Sequence, residues 1–153
     1  MYLLIGWGDP TGLKREVRLS DYPNSLSICG TTYDVAKAKW GGKWRLASKD
    51  EFEELICACI WTWGDWDGQK GYYVTGPNGN SIFLPATGYR DGEHTYSFSR
   101  GYYWVGTMRP EPSPYPYVLN FDNLRKGLNA SLDGYLAYPF KSHGCAIRPV
   151  LGN

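Results

Sequence analysis

Helical signal is confined to the first third of the chain, and nothing after Trp61 carries the period of an amphipathic helix. That asymmetry limits the possible folds more than any motif does. Thr31 or Thr32 can cap a helix over Tyr33 to Lys39, which Gly41 and Gly42 stop. Ser48-Lys49-Asp50-Glu51 has the form of a capping box, with Ser48 as N-cap and Glu51 at the third helical position. Phe52, Leu55, Ile56 and Cys59 then recur at the spacing of one apolar helical face, so Cys59 reads as packing rather than as a reactive thiol. Cys57, two residues before it on the expected helix, points elsewhere, and the two cannot bridge each other.

Beyond Trp61 come short β-like runs: Gly71 to Thr75, Ser81 to Leu84, Tyr102 to Thr107, Tyr117 to Phe121 and Ala146 to Val150. Gly76-Pro77-Asn78-Gly79 makes a hairpin of the first two. "RPEPSPYP", with four prolines in eight residues, is a loop or an edge crossing. The composition agrees, since 19 Gly and 10 Pro in 153 residues exceed the usual combined share of ~12 per cent. "MYLLIG" reads as a first strand. It lacks the basic region and cleavage site of a signal peptide, which leaves a cytosolic protein or a mature or excised domain. The reading is α+β in one domain over residues 1–153: two N-terminal helices, then a twisted antiparallel sheet with long irregular loops.

The net charge is +1 and no basic run marks a nucleic-acid footprint; no segment is apolar enough to insert in a membrane. Thirteen Tyr and seven Trp exceed what a small core hides, so aromatic surface for binding is expected. Four cysteines, Cys29, Cys57, Cys59 and Cys145, permit disulfides without fixing a pairing.

Catalytic motifs are sparse. There is no nucleophile elbow and no phosphate-binding glycine loop in strand-to-helix context. His94 lies in a polar loop and reads as surface; His143, two residues before Cys145, lacks a visible third group to orient it. Cys57-Ala58-Cys59 has the wrong spacing for zinc. Asp65-Trp66-Asp67-Gly68 starts like a calcium loop but has Lys70 and Gly76 where that loop needs Gly and Glu, so a polar turn is expected. No metal and no cofactor is expected. In "WGGKWRL", Trp40, Trp44 and Leu46 read as core anchors around a turn between the helices. Arg45 and Arg148 read as partly buried and bonded to carbonyls or carboxylates.

"WGGKWRLASKDEFEELI", "GYYVTGPNGNSIFLPATGYRDG", "GYYWVGT" and "GCAIRPV" follow one another at spacings that resemble the Fibrobacter succinogenes major paralogous domain family, abundant in proteins of gut Bacteroidetes. The resemblance begins near "WGDPTG" and covers almost the whole chain. Ala47, where the family usually has Pro, and Val105-Gly106, where Ser-Ser or Ser-Gly is usual, depart from it. The resemblance implies a C-type-lectin-like fold, shared with formylglycine-generating enzymes, on secreted or cell-surface proteins. It implies fold more than activity.

In such folds recognition lies on loops late in the chain, here 108 to 117 and 122 to 145. The candidate ligand-binding residues are Arg109, Glu111, Tyr115, Asn123, Arg125, Asn129, Asp133, Tyr135, Tyr138, Lys141, Ser142 and His143, a composition suited to adaptable recognition. The calcium-dependent sugar motifs Glu-Pro-Asn and Trp-Asn-Asp are absent, and Glu111-Pro112-Ser113 only approximates the first. The expected function is a non-catalytic recognition module of a bacterial surface or phage-related protein, an adhesin-like domain taking a protein or a glycan. Its alternatives are a retroelement-diversified, hypervariable protein of the same fold, a formylglycine-generating-like oxidase, and a structural packing module such as a fimbrial tip domain.

Overall fold

The structure, a computed structural model, describes residues 4–14, 26–96, 99–109, 116–129 and 143–152. Among them the architecture is mainly antiparallel sheet with two helices, which places it in the α+β class or at its mostly-β end.

The first helix, α1 (Val35–Trp40), is capped by Asp34, not by Thr31 or Thr32. Asp34 is fully buried. Its Oδ1 accepts from the amides of Ala36 and Lys37 at 2.8 and 3.3 Å, and its Oδ2 from Gly30 at 2.7 Å and Leu46 at 2.8 Å. A carboxylate offers about four acceptor sites where a hydroxyl offers two. Only an acid can therefore tie the preceding turn, the helix and the next strand to one point. Thr31 shapes that turn instead, donating to the Ile28 carbonyl and accepting from the Tyr33 amide. Gly41, with φ 69°, ends α1 as the sequence suggests.

A short strand, β1 (Trp44–Leu46), separates the helices and pairs with β11 (Pro149–Leu151). Of the three expected core anchors only Leu46 is buried; Trp40 is 54% and Trp44 37% exposed. Trp44 shares a face of β1 with Leu46, but it sits at the outer end of a two-stranded ribbon. Its cross-strand neighbour there is Leu151, itself exposed.

The second helix, α2 (Lys49–Ala58), has the expected capping box in full. The Glu51 carboxylate that closes it also takes a forked pair of bonds from the Arg45 guanidinium, at 2.7 and 3.0 Å. Those bonds, with help from the Ser48 amide, hold the Glu51 carboxyl down at about 2. Arg45 thus has the carboxylate partner its place in the sequence suggests, and it also donates to the Leu46 carbonyl. Arg148 is half-buried. Phe52 is buried, with Leu55, Ile56 and Cys59 packed beside it, although α2 ends at Ala58 and leaves Cys59 just past the helix.

The strand β2 (Ile60–Trp66) begins at once and is the main element the sequence reading missed. Its signal was the alternation of Trp61 and Trp63, whose rings both meet Tyr72 and Phe121 edge-on. Asp67 and Gly68, both at positive φ, turn the chain in two residues into β3 (Gln69–Thr75). Asp65 accepts from the Gly68 amide and lies 3.4 Å from the Lys70 ammonium, so this segment is a hairpin turn. β4 (Ser81–Pro85) completes the second hairpin, as expected from Gly76 to Gly79.

Next come β5 (Tyr89–Asp91) and β6 (His94–Tyr96). His94 is exposed but in a strand, not a loop. β7 (Gly101–Met108), β8 (Pro116–Phe121) and β9 (Lys126–Asn129) form a third sheet, and β10 (His143–Gly144) adds to β5. Where the sequence suggests one sheet, the described residues form four: β1–β11, β10–β5–β6, β2–β3–β4 and β7–β8–β9. The expected run from Ala146 to Val150 is split. Cys145 and Ala146 make single bridges to Ile5 and Tyr103 before β11 begins. "MYLLIG" contributes that one bridge at Ile5; residues 1–3 lie outside the described residues.

β7 is the spine. Tyr102, Trp104 and Met108 enter one apolar cluster with Trp7, Ile28 and Val118. Tyr103 and Val105 enter a second with Phe52, Tyr72, Leu84, Leu119 and Phe121. A strand buried on both faces must be apolar at nearly every position, which is how "YYWV" reads.

Candidate functional site

The candidate residues of the late loops do not converge as a set. Glu111, Tyr115, Asp133, Tyr135, Tyr138, Lys141 and Ser142 lie outside the described residues. Arg109 is exposed just past β7, and Asn129 ends β9. Asn123 and Arg125 are exposed in the turn between β8 and β9.

His143 is a correction. It lies not on a loop but in β10, 3% exposed. Its Nε2 is 3.8 Å from a carboxylate oxygen of Asp91, its ring meets Tyr89 edge-on, and its buried Nδ1 has no hydrogen-bond partner. Burial lowers its pKa, opposed by Asp91 and assisted by Arg90. A ring held this way cannot present itself to a ligand. Cys145 is fully buried, and burial drives its thiol far above the ordinary range. Burial also raises the Cys29 thiol. The four cysteines form no disulfide. Among the described residues no group of three His, Cys, Asp or Glu is placed to hold a metal ion.

What the fold does assemble is a groove of about 200 Å³ at the end of the β7–β8–β9 sheet. Arg100, Asn120, Phe121, Asp122, Arg125, Lys126 and Gly127 line it. Its floor is stiff because the Phe121 ring is boxed by Trp61, Trp63 and Tyr72 edge-on and by Tyr103 in a stack. That anchor fixes where β8 ends and the turn begins. Asp122 then shapes the turn. Its Oδ1 accepts from the amides of Leu124 at 2.9 Å and Arg125 at 3.0 Å, and its own amide donates to the Arg125 carbonyl. The Leu124 bond, with Arg125 and Arg100 nearby, keeps the Asp122 carboxyl below its usual range.

Three cationic residues border the groove. Arg125 keeps its Nε 3.9 Å from the second Asp122 oxygen while most of its side chain faces solvent. Lys126 lays its ammonium 5.4 Å from the Trp61 ring centroid. Arg100 lies one residue before β7, whose first residue, Gly101, pairs with Phe121. Of the residues singled out from sequence, Arg125 alone lines this groove. Arg100, Asn120, Asp122 and Lys126 were missed because a register, not a local motif, brings positions 100 and 120–127 together.

No family model, no curated protein and no solved structure matches the chain. No helix among the described residues is long and apolar enough to cross a membrane.

Proposed function

We propose that this chain is a non-catalytic recognition module with a C-type-lectin-like fold, of the kind its sequence blocks resemble, carried on a bacterial surface or phage-related protein. It takes a protein or a glycan. The observation that carries this reading is the groove at the β8–β9 turn, where charged side chains face solvent over a rigid aromatic floor. Rigid walls with a few polar groups suit binding, since little order is lost when a ligand enters. The non-catalytic reading is supported by the state of the reactive groups. Burial raises both the Cys145 and Cys29 thiols, and His143 is sealed in the core. An oxidase of the formylglycine-generating type needs reactive cysteines within reach of substrate.

One observation favours the packing-module alternative. Trp44 and Leu151 are paired and exposed, and Trp40 is exposed nearby in sequence. The test is a screen of immobilised protein against glycans and bacterial surfaces, run with wild type, Arg125→Ala and Trp44→Ala. Recognition at the groove is expected to weaken with Arg125→Ala and to survive Trp44→Ala. The reverse pattern would overturn the groove reading in favour of packing through the Trp44 ribbon.

A further inference from the structure

The β2–β3–β4 sheet has two faces, and its register decides which side chains go to each. Trp61, Trp63, Tyr72, Val74 and Leu84 belong to the core face. Trp66, Tyr73 and Phe83 share the other. Phe83 is only 8% exposed, yet it belongs to neither core cluster. Trp66 covers it edge-on, with ring centroids 5.6 Å apart, and Tyr73 lies against it at 4.9 Å. A cross-strand pair of glycines makes the room. A Cβ on Gly71 would fall 2.8 Å from the Phe83 ring, and one on Gly64 3.0 Å from the Tyr73 ring. The Tyr73 ring therefore lies across β2, and its hydroxyl donates to the Asp65 carbonyl at 2.8 Å. Trp66 remains 63% exposed. The result is an aromatic platform outside the core, fixed before anything lands on it.

Charge limits what can land there. Across the chain 20% of residues are Asp, Glu, Lys or Arg. Among the described residues of this face there is none, and no His. Asp65 and Lys70, the charged residues of these strands, lie on the opposite face and meet at 3.4 Å. Beside the rings the face offers neutral hydroxyls and an amide, from Thr62, Thr75, Ser81 and Gln69. A charged polymer finds no opposite charge on it. A bilayer would strip water from those hydroxyls with no basic residue to draw it in. Area argues against a stable protein partner. Three strands of at most seven residues, about 4.8 Å apart and rising about 3.4 Å per residue, cover on the order of 300 Å². A stable interface takes about 800 Å² from each partner.

A sugar ring suits such a surface. Its flat side presents C–H groups to an indole, and its rim presents hydroxyls that both donate and accept. We propose that the outer face of the β2–β3–β4 sheet binds a neutral, extended glycan, with one sugar ring stacked on Trp66 and the next lying along Tyr73 and Thr62. This second recognition surface does not depend on the groove at the β8–β9 turn.

Binding would be followed by calorimetry with cellohexaose, mannohexaose and xylohexaose as probes and polygalacturonate as competitor. At least one hexaose is expected to bind, and polygalacturonate should not displace it. Trp66→Ala should weaken binding about ten-fold or more, and Trp66→Phe, which keeps a ring, only about three-fold. Because Trp66 is exposed, both variants should keep cooperative melts. Arg125→Ala, in the groove, should bind as wild type does.

Binding of no hexaose overturns the proposal, as does a bound hexaose that is indifferent to Trp66→Ala or is displaced by polygalacturonate. A concentration-dependent dimer broken by Trp66→Ala would give the face to a second copy. Adsorption to phosphatidylcholine vesicles, lost in the same variant, would give it to a lipid surface. Either result overturns the glycan. Hexaose binding lost in Arg125→Ala and kept in Trp66→Ala places the glycan in the groove, which overturns the platform and leaves the proposed function standing.

Discussion

Trp7 and Trp104 each hold the backbone beside the other. The Trp7 indole donates to the carbonyl of Val105, next to Trp104, at 2.8 Å, and the Trp104 indole donates back to the carbonyl of Ile5. Both side chains are about 1% exposed. The pair pins the N-terminal segment to the central strand across some hundred residues of sequence. Trp7→Phe keeps most of the ring volume but leaves the Val105 carbonyl without this donor. The expected loss is about 2 kcal/mol by chemical denaturation. Trp44→Ala, on the open ribbon, is expected to cost under about 1 kcal/mol. Equal losses would mean that the anchor is misassigned.

The Phe121 ring lies directly over Gly101. A Cβ on that glycine would fall 2.0 Å from the ring's Cζ. Gly101→Ala must therefore displace the ring that floors the groove. We expect a loss of about 2–3 kcal/mol together with weakened binding. A variant that melts like wild type would show that Phe121 can move aside cheaply.

Asp34 anchors four amides from three elements. Asp34→Ala is expected to cost about 3 kcal/mol or more, since several buried N–H groups lose their acceptor at once. Thr32→Ala, at an exposed position, should stay within about 0.5 kcal/mol. Urea titrations of the two variants side by side would check this.

Acid should weaken the fold in two separate windows. Burial lowers the His143 pKa in the folded protein. As pH falls through the unfolded value of about 6.5, the unfolded chain takes up a proton that the folded chain refuses. Stability therefore drops, until the folded ring protonates at lower pH and the slope flattens. His143→Phe should remove this window, and because Nδ1 has no partner, little bonding is lost.

Glu51 acts lower down. Its carboxyl is held at about 2 by Arg45, so its stabilisation is complete above the unfolded value of about 4.3 and disappears as pH falls toward 2. Because the pair is partly exposed, its worth is about 1 kcal/mol, and Glu51→Gln should flatten only this lower window. Melting temperatures from pH 8 to pH 2 would separate the two, and a single shared transition in both variants would contradict the assignment.

Local chemistry was legible without the structure wherever a few adjacent residues decide the outcome. The Ser48–Glu51 box, the Gly41 stop, the hairpin at Gly76 to Gly79 and the strand over Tyr102 to Thr107 all depend on neighbours three or four positions away, or on composition alone. Long-range pairings decided the rest. Trp7, Trp40, Trp44 and Trp104 are the same residue type, yet two form the core and two face solvent, because burial depends on which strand a tryptophan is laid against. Asp34 caps α1 through amides two and three residues on, but its tie to Leu46 exists only because β1 folded back to within reach of its second oxygen. The groove exists because the register of β7, β8 and β9 sets Arg100 beside Asp122, Arg125 and Lys126. A charge cluster made across strands has no period in the sequence, so only the pairing of those strands could reveal it.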